Sequence, residues 1–96
     1  MTDHDNEFVW VFNGEGTQFP SGVFRTREKA CVWIATNAVS GVLTAYPIDE
    51  GAYDWAVRNG TFVVKSAKHR SPEFIQKFAG GAQPHAHFEH GKESGS

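Results

Sequence analysis

The feature that most constrains this fold is a run of five apolar residues, Phe8 to Phe12, that leads directly into Asn13-Gly14. Side chains alternate between the two faces of a strand, so both faces of this segment are apolar. Such a strand is typical of the interior of a sheet that is covered on both sides. Asn-Gly favours the positive φ angles of a tight hairpin turn. The sequence therefore predicts a central first strand that ends in a hairpin.

The segment after the turn predicts a returning strand, a helix and a third strand. Phe19 to Phe24 forms the returning strand, with Pro20 at its start, where a missing N–H does least harm. Thr26 is a good N-cap for the helix. Val42 to Ile48 is the third strand, and Pro47 places it at an edge of the sheet. Helical spacing gives the helix one apolar face, formed by Ala30, Trp33, Ile34 and Ala38.

These connections determine the order of the strands. The first two strands form a hairpin, and the helix makes a right-handed crossover to the third. If the first strand is central, the third strand lies on its other side. The predicted fold class is α+β: a small three-stranded antiparallel sheet of ββαβ type, in the order 2-1-3, with helices packed on it and a disordered C-terminal tail.

The second half of the chain predicts two short helices. One spans about residues 51–59 and stops at Gly60. The other begins at Ser71-Pro72-Glu73, a strong helix start, and runs to about residue 79. These two helices are the candidates to cover the second face of the sheet. Between them, residues 61–65 form either a short fourth strand or an extended segment.

Composition near the two ends sets the expected domain organisation. From residue 81 onward the chain is mostly Gly, His, Ser and charged residues, which predicts a mobile tail. We therefore expect a disordered N-terminus over residues 1–6, a single α+β domain over residues 7–80, and a disordered His-containing tail over residues 81–96.

Charge and hydropathy argue against several classes of protein. The chain has 96 residues, a formal net charge of −2 and a pI near 6.2, so it lacks the basic footprint of a nucleic-acid-binding protein. No apolar run approaches the length of a membrane span. Cys31 is the only cysteine, which excludes an intramolecular disulfide. The opening MTDHDNEF does not look like a secretory signal. A cytoplasmic protein is expected.

Several motifs of this chain occur together in a known family. They are VWVFNGEG, FPSGVF, the A-x-x-WI helix, SG-x-LTAYP, YDWA and SPEFI-x-x-F. Taken together they resemble a family of small bacterial proteins that is known only as a domain of unknown function. The resemblance covers roughly residues 8–79. It implies a compact α+β domain, and it implies no activity, cofactor or site.

The tail contains the candidate metal ligands His85, His87 and His90, in the pattern H-x-H-x-E-H. Imidazole and carboxylate ligands suit zinc, nickel or copper. The spacing matches no closed structural zinc pattern, however. The alternative interpretation is a solvated tail that binds no metal.

The start of the first helix contains a candidate anion site at Arg25, Thr26 and Arg27. Free backbone N–H groups and two guanidinium groups can hold a phosphate or carboxylate. The alternative is two solvated arginines beside an ordinary helix cap.

Aromatic residues supply a candidate partner surface. The chain has 8 Phe, 3 Trp and 2 Tyr, more rings than a core of this size easily hides. Exposed Trp and Tyr are typical anchors of protein interfaces. The side chains predicted to contact a partner are Phe19, Tyr46, Tyr53 and Trp55.

Residue types that carry catalysis are few and scattered. Cys31 lies next to the apolar face of its helix, which favours a small buried hydrophobe over a reactive thiol. Asp54, between two aromatic residues, is interpreted as a surface carboxylate. An active site would have to gather groups that are distant in sequence, such as Asp54, Tyr46, His69 and Arg25.

These observations predict a small non-catalytic intracellular module that binds or regulates through protein–protein contacts. The expected partner is an unknown protein or a second copy of the same chain. Binding to nucleic acid or to a membrane is not expected, and neither is a cofactor. One alternative is a metal-binding accessory protein that uses the C-terminal His segment. Another is a small-molecule or anion-binding protein, or an enzyme, with an unrecognised pocket.

Overall fold

The described part of the chain folds into five strands and three α-helices. The strands are β1 (Phe8–Gly14), β2 (Pro20–Phe24), β3 (Gly41–Pro47), β4 (His85–Glu89) and β5 (Lys92–Glu93). The helices are α1 (Arg27–Asn37), α2 (Ala52–Arg58) and α3 (Pro72–Lys77), with a 3₁₀ turn at Ala67–Arg70. The coordinates are a computed structural model that describes residues 7–78 and 83–94. All strand pairs are antiparallel, and the sheet order is β2-β1-β3-β4-β5.

The prediction of a three-stranded sheet with a disordered C-terminal tail is wrong. The class is α+β and the first three strands have the order 2-1-3, but β4 and β5 arise from the segment predicted to be a tail. β4 alternates between exposed and buried residues, and its two apolar residues, Ala86 and Phe88, enter the core. Residues 1–6, 79–82 and 95–96 lie outside the described residues, so the predicted disorder there is not addressed.

The prediction that β3 is an edge strand is also wrong, because β3 lies between β1 and β4. Pro47 is the last residue of β3 and pairs with Phe8 of β1. β4 pairs with β3 only from Gly41 to Thr44, so no ladder partner on the β4 side requires an N–H from Pro47. A proline at the end of an interior strand is therefore tolerated.

α1 covers one face of the sheet, which we call the covered face. Ala30 and Ile34 of α1 are fully buried against Phe12 and Leu43. The helix begins where the Thr26 hydroxyl accepts a hydrogen bond from the backbone N–H of Lys29, as predicted for an N-cap. The core cluster consists of Phe12, Ala30, Ile34, Leu43, Ala86 and Phe88.

α2 contacts the same face as α1. Trp55 packs edge-on against Phe8, with ring centres 5.9 Å apart, and Phe8 shares its face of β1 with Phe12. α2 also contributes to a second cluster of aromatic rings, to which α3 contributes as well. This cluster consists of Tyr53, Phe62, His69, Phe74 and Phe78. The expectation that residues 51–59 cover the opposite face is therefore wrong. Residues 61–65 form no strand.

One further property follows from the helix lengths. Within residues 7–78 and 83–94, no helix combines the length and the apolar character needed to cross a membrane.

Candidate functional site

The face of the sheet opposite α1 carries a second row of side chains, which we call the open face. Paired residues of neighbouring antiparallel strands point to the same face. Val11 pairs with Val23 and with Thr44, and Thr44 pairs in turn with His85, so one row crosses four strands. The open face consists of Val9, Val11, Val23, Val42, Thr44, Tyr46, His85 and His87.

The open face is accessible to solvent in the described structure. Val23 is 63% exposed, and Val11 and Val42 stay half-buried although they lie on interior strands. Their neighbours on the covered face, Phe12 and Leu43, are 1% and 0% exposed. Only Thr44 is buried on the open face, because larger side chains surround it. No described helix therefore packs over these valines.

The open face continues to a free sheet edge at β2. Among residues 7–78 and 83–94, this strand is hydrogen-bonded on one side only, to β1. Phe19, which immediately precedes β2, is 74% exposed. Free edges with exposed apolar side chains are places where another chain can add.

A shallow cavity of about 600 Å³ lies where the β1–β2 turn meets β4. Its walls include Asn13, Glu15, Val42, His87, Glu89 and Ser94. The Ser94 hydroxyl donates to the backbone carbonyl of His87 at 3.2 Å, so it is not paired with the imidazole as a nucleophile would be. The cavity thus extends the open face without forming a nucleophile–base pair.

The structure brings together two of the three predicted metal ligands. His85 and His87 lie side by side on the open face of β4, with ring centres 5.2 Å apart. His90 lies in the β4–β5 turn, at φ 50°, and its backbone N–H donates to the Ser40 hydroxyl. The described residues contain no group of three or more His, Cys, Asp or Glu that can hold a metal ion.

The predicted anion site is occupied by contacts within the chain. The Thr26 hydroxyl is used by the helix cap. The Arg27 guanidinium forms an ion pair with Glu93 at 3.2 Å and lies over the Trp10 ring, 6.0 Å from its centre. Arg25 is exposed. Because Arg27 already faces a carboxylate, these residues hold an anion less well than the sequence suggests, and the site stays a prediction.

The four aromatic residues predicted to contact a partner divide into two pairs. Phe19 is exposed and Tyr46 lies half-buried on the open face, so both border the accessible surface. Tyr53 packs against Phe62, Phe74 and Phe78, with ring centres 5.6 to 6.2 Å apart. Trp55 packs on Phe8.

The residues considered for catalysis are dispersed. Cys31 is half-buried against the core cluster, and its Sγ lies 3.9 Å from Nη1 of Arg27. Asp54 is exposed on α2. His69 packs on Phe62 and Phe74, while its Nδ1 accepts from the backbone N–H of Lys65. Tyr46 lies on β3, and Arg25 directly follows β2.

One carboxyl group has a shifted pKa. Arg58 donates to both carboxylate oxygens of Glu50, at 2.7 and 2.9 Å. These hydrogen bonds, with the charge of Arg58, hold the pKa of Glu50 below its usual value of 4.5. The pair is at the surface and fixes the segment that precedes α2.

Sequence reasoning missed the valines of the open face. Val9 and Val11 were assigned to a buried second face, since a doubly apolar strand usually lies between two layers. The signal that was available is the alternation in His85–Glu89, where His85, His87 and Glu89 share one side. Recognising that strand would have placed two histidines beside the valines.

Comparison with known proteins gives a family. The profile of a domain of unknown function, DUF7710, matches residues 9–94. The chain belongs to the DUF7710 family. The match runs from β1 through β5, so the two C-terminal strands are part of the DUF7710 domain, whereas the motif resemblance ended near residue 79. No curated protein and no solved structure matches the chain significantly.

Proposed function

We propose that this DUF7710 domain is a non-catalytic cytoplasmic binding module that associates with a second copy of itself through the open face. The observation that carries the proposal is that Val23 is exposed and that Val11 and Val42 are only half-buried, although both lie on interior strands. Together these valines form an apolar surface. Contiguous apolar surfaces of this kind mark interaction sites on small proteins.

The dimensions of the open face suit a weak interface. Strands lie about 4.8 Å apart and rise about 3.3 Å per residue, so four strands of about five residues cover roughly 300 Å². Two such faces in contact bury roughly 600 Å² in total, about half of the 1,200 Å² at the low end of specific interfaces. We therefore expect reversible association rather than an obligate dimer.

A second copy is the occupant that best fits this surface. Two open faces related by a twofold axis can stack as the two sheets of a sandwich, about 10 Å apart. Val11, Thr44 and Val42 near the centre carry no charge, so two copies meet there without like-charge repulsion. At the β5 end, Glu89 pairs in register with Lys92. Opposite charges at that rim can pair between the two copies.

Two features support the non-catalytic and cytoplasmic parts of the proposal. Asp54, His69 and Tyr46, the groups an enzyme would have to gather, lie on different elements of the fold. Cys31 is a single half-buried thiol, which suits a reducing compartment.

Sedimentation equilibrium of the full chain tests the proposal. We expect the wild type to show concentration-dependent dimerisation with a Kd below about 1 mM. Val11→Asp places a charge at the centre of the open face and should give a monomer at every concentration. The matched control is Val32→Asp, because Val32 is 66% exposed on α1 and should leave dimerisation unchanged.

Two results would overturn the proposal. One is a wild-type protein that remains monomeric at about 1 mM. The other is equal dimerisation of the wild type and Val11→Asp, provided that circular dichroism shows both to be folded.

A further inference from the structure

The two imidazoles of β4 lie on the open face and form a local arrangement of their own. His85 and His87 are separated by one residue, so both project from the open face, and both are exposed. Their ring centres are 5.2 Å apart, nearly perpendicular at 82°. We propose that His85 and His87 together bind one divalent cation of the zinc, nickel or copper class as a bidentate ligand.

The hydrogen bond of His85 supports its role as a ligand. Its Nδ1 lies 2.9 Å from the backbone carbonyl oxygen of Gln83. A carbonyl oxygen can only accept, so Nδ1 carries the proton and Nε2 carries the free lone pair. Metal-binding histidines commonly donate their second ring nitrogen to a carbonyl in this way, which fixes the tautomer and the ring orientation. Gln83 is itself buried, at 2% exposure, so this anchor is held by the fold.

The separation of the rings matches a shared ion. Zinc–nitrogen distances are about 2.0–2.1 Å, so two imidazoles bound to one ion at a tetrahedral angle have ring centres roughly 5 Å apart. The His87 side chain forms no hydrogen bond within the described part of the chain, so it can rotate towards the ion between ordinary rotamers. That rotation would allow a ring nitrogen of His87 to converge with Nε2 of His85.

The site differs from the three-histidine site predicted from the sequence. His90 is held in the following turn, and the described residues contain no third ligand in a group with this pair. Closed structural zinc sites have four protein ligands. An ion bound by two histidines keeps coordination positions for water or for ligands from another molecule. Because both protein ligands come from one strand of one chain, the site does not depend on the proposed dimer.

Calorimetric titration of the untagged full chain with NiCl₂ and with ZnCl₂ tests this assignment. The titration uses a protein concentration at which sedimentation shows a monomer, so its result is separate from the test of self-association. His85→Gln and His87→Gln should each weaken binding at least about tenfold, because loss of a ligand costs no less than loss of an outer-shell partner. The matched control, His90→Asn, should bind as the wild type does, since Asn tolerates the positive φ of that turn.

Long-range ¹⁵N–¹H spectra of the imidazoles identify the nitrogen that binds. In the wild type, zinc should shift Nε2 of His85, while its Nδ1 keeps the signal of a protonated nitrogen. The assignment is overturned if His87→Gln binds as tightly as the wild type. It is also overturned if His90→Asn loses binding to the same extent as the β4 variants, or if the His85 and His87 signals do not move.

Discussion

The covered face and the open face of the sheet are built from alternate residues of the same strands, yet they differ in almost every property. Phe12 and Leu43 are 1% and 0% exposed, whereas Val11 and Val42, one residue earlier in each strand, remain half-buried. The covered face packs against α1 and carries the core. The open face has valines, one tyrosine and two histidines and receives no described helix. One face therefore stabilises the fold, while the other remains partly accessible to solvent in the described structure.

The same comparison shows where the many aromatic side chains of this chain are packed. Trp33, Trp10 and Phe24 pack around the core cluster on the α1 side. Another set of rings packs between α2 and α3 rather than on the sheet. Most rings are thus used in packing, and the exposed apolar side chain of the open face, Val23, is aliphatic. Four substitutions follow in order of decreasing expected effect: three test the covered face and its helix, and the last is a surface pair outside both faces.

The largest effect is expected for Phe88→Ala. Phe88 is 5% exposed and joins β4 to the core cluster, so truncation leaves a cavity that costs about 3–5 kcal/mol of unfolding free energy. His87→Ala, on the next residue of the same strand, should change it by no more than about 0.5 kcal/mol, because His87 is exposed. Urea unfolding followed by circular dichroism gives both values.

Equal and small costs for Phe88→Ala and His87→Ala would show that β4 does not contribute to the core. In that case the residues from 85 onward would behave as the tail that the sequence predicted.

Gly41→Ala should have the next largest effect. A Cβ at Gly41 would overlap the backbone carbonyl oxygen of Asn13 and lie 2.8 Å from Cζ of Phe12. Neither neighbour can move without disturbing the packed side of the sheet, so we expect a loss of about 1–3 kcal/mol. The control is Gly14→Ala, because Gly14 pairs with Gly41 but its nearest contact would be 3.4 Å away, at Thr17. Thermal unfolding of the two variants distinguishes the sites, and equal melting temperatures would contradict the close packing at Gly41.

Loss of the α1 cap should be smaller. Thr26→Ala removes the hydroxyl that accepts from the Lys29 N–H at 3.1 Å and should cost about 1 kcal/mol. Thr36→Ala, at an exposed position late in α1, removes no cap and should be neutral or slightly stabilising. Urea midpoints measure the difference. A Thr26→Ala variant as stable as Thr36→Ala would mean that the cap does not help to hold the covering helix in place.

The smallest effect is expected at the surface pair Glu50–Arg58, which belongs to neither face. The pKa of Glu50 is lowered in the folded state by Arg58, so the pair stabilises the fold above pH 4.5 and its contribution is lost as pH falls through the lowered value. The difference in urea midpoint between the wild type and Glu50→Gln should be small at pH 7 and should disappear once the pH has fallen below the lowered pKa of Glu50. A difference in urea midpoint that grows as the pH falls would contradict the stabilising role of the ionised Glu50 carboxylate.

Local signals in the sequence were sufficient for the first half of the fold. The apolar run Phe8 to Phe12 and the Thr26 cap each act within a few residues, and the predicted strand and helix start agree with the structure. The predicted hairpin forms, but the tight Asn-Gly turn is wrong: Asn13 and Gly14 are the last residues of β1, and the loop to β2 spans residues 15–19 with its positive φ at Gly16. The crossover rule then places β3 beside β1. These signals succeed because they depend on backbone preferences and on alternation, which are properties of short segments.

The second half was missed because it depends on pairing between distant residues. β4 pairs with β3 across about forty residues of chain. In the sequence of β4, only the apolar residues Ala86 and Phe88 indicate which side faces the core. A segment rich in His and Gly resembles a solvated tail in composition. Pro47 also favoured an edge position for β3, because a proline cannot donate to a neighbouring strand. In the structure the pairing of β4 with β3 stops at Thr44, before Pro47.

The candidate site could be predicted only in part. His85 and His87 were chosen for their chemistry, and the structure places them together because β4 is a strand. His90 was chosen on the same grounds and is separated by the turn. Val11 and Val42 could not be recognised as accessible, because an apolar residue in a strand has the same sequence signature whether or not a helix covers it.

The most direct test of the account is the solvent accessibility of methyl groups on the two faces, measured by NMR with a soluble gadolinium chelate. At low protein concentration, the account predicts strong relaxation of the Val11 and Val42 methyls and weak relaxation of the Leu43 methyls. Near about 1 mM protein, the valine methyls should become protected as copies associate, while those of Leu43 should not change. Valine methyls that are as protected as Leu43 in dilute solution, or that stay equally exposed at both concentrations, would contradict it.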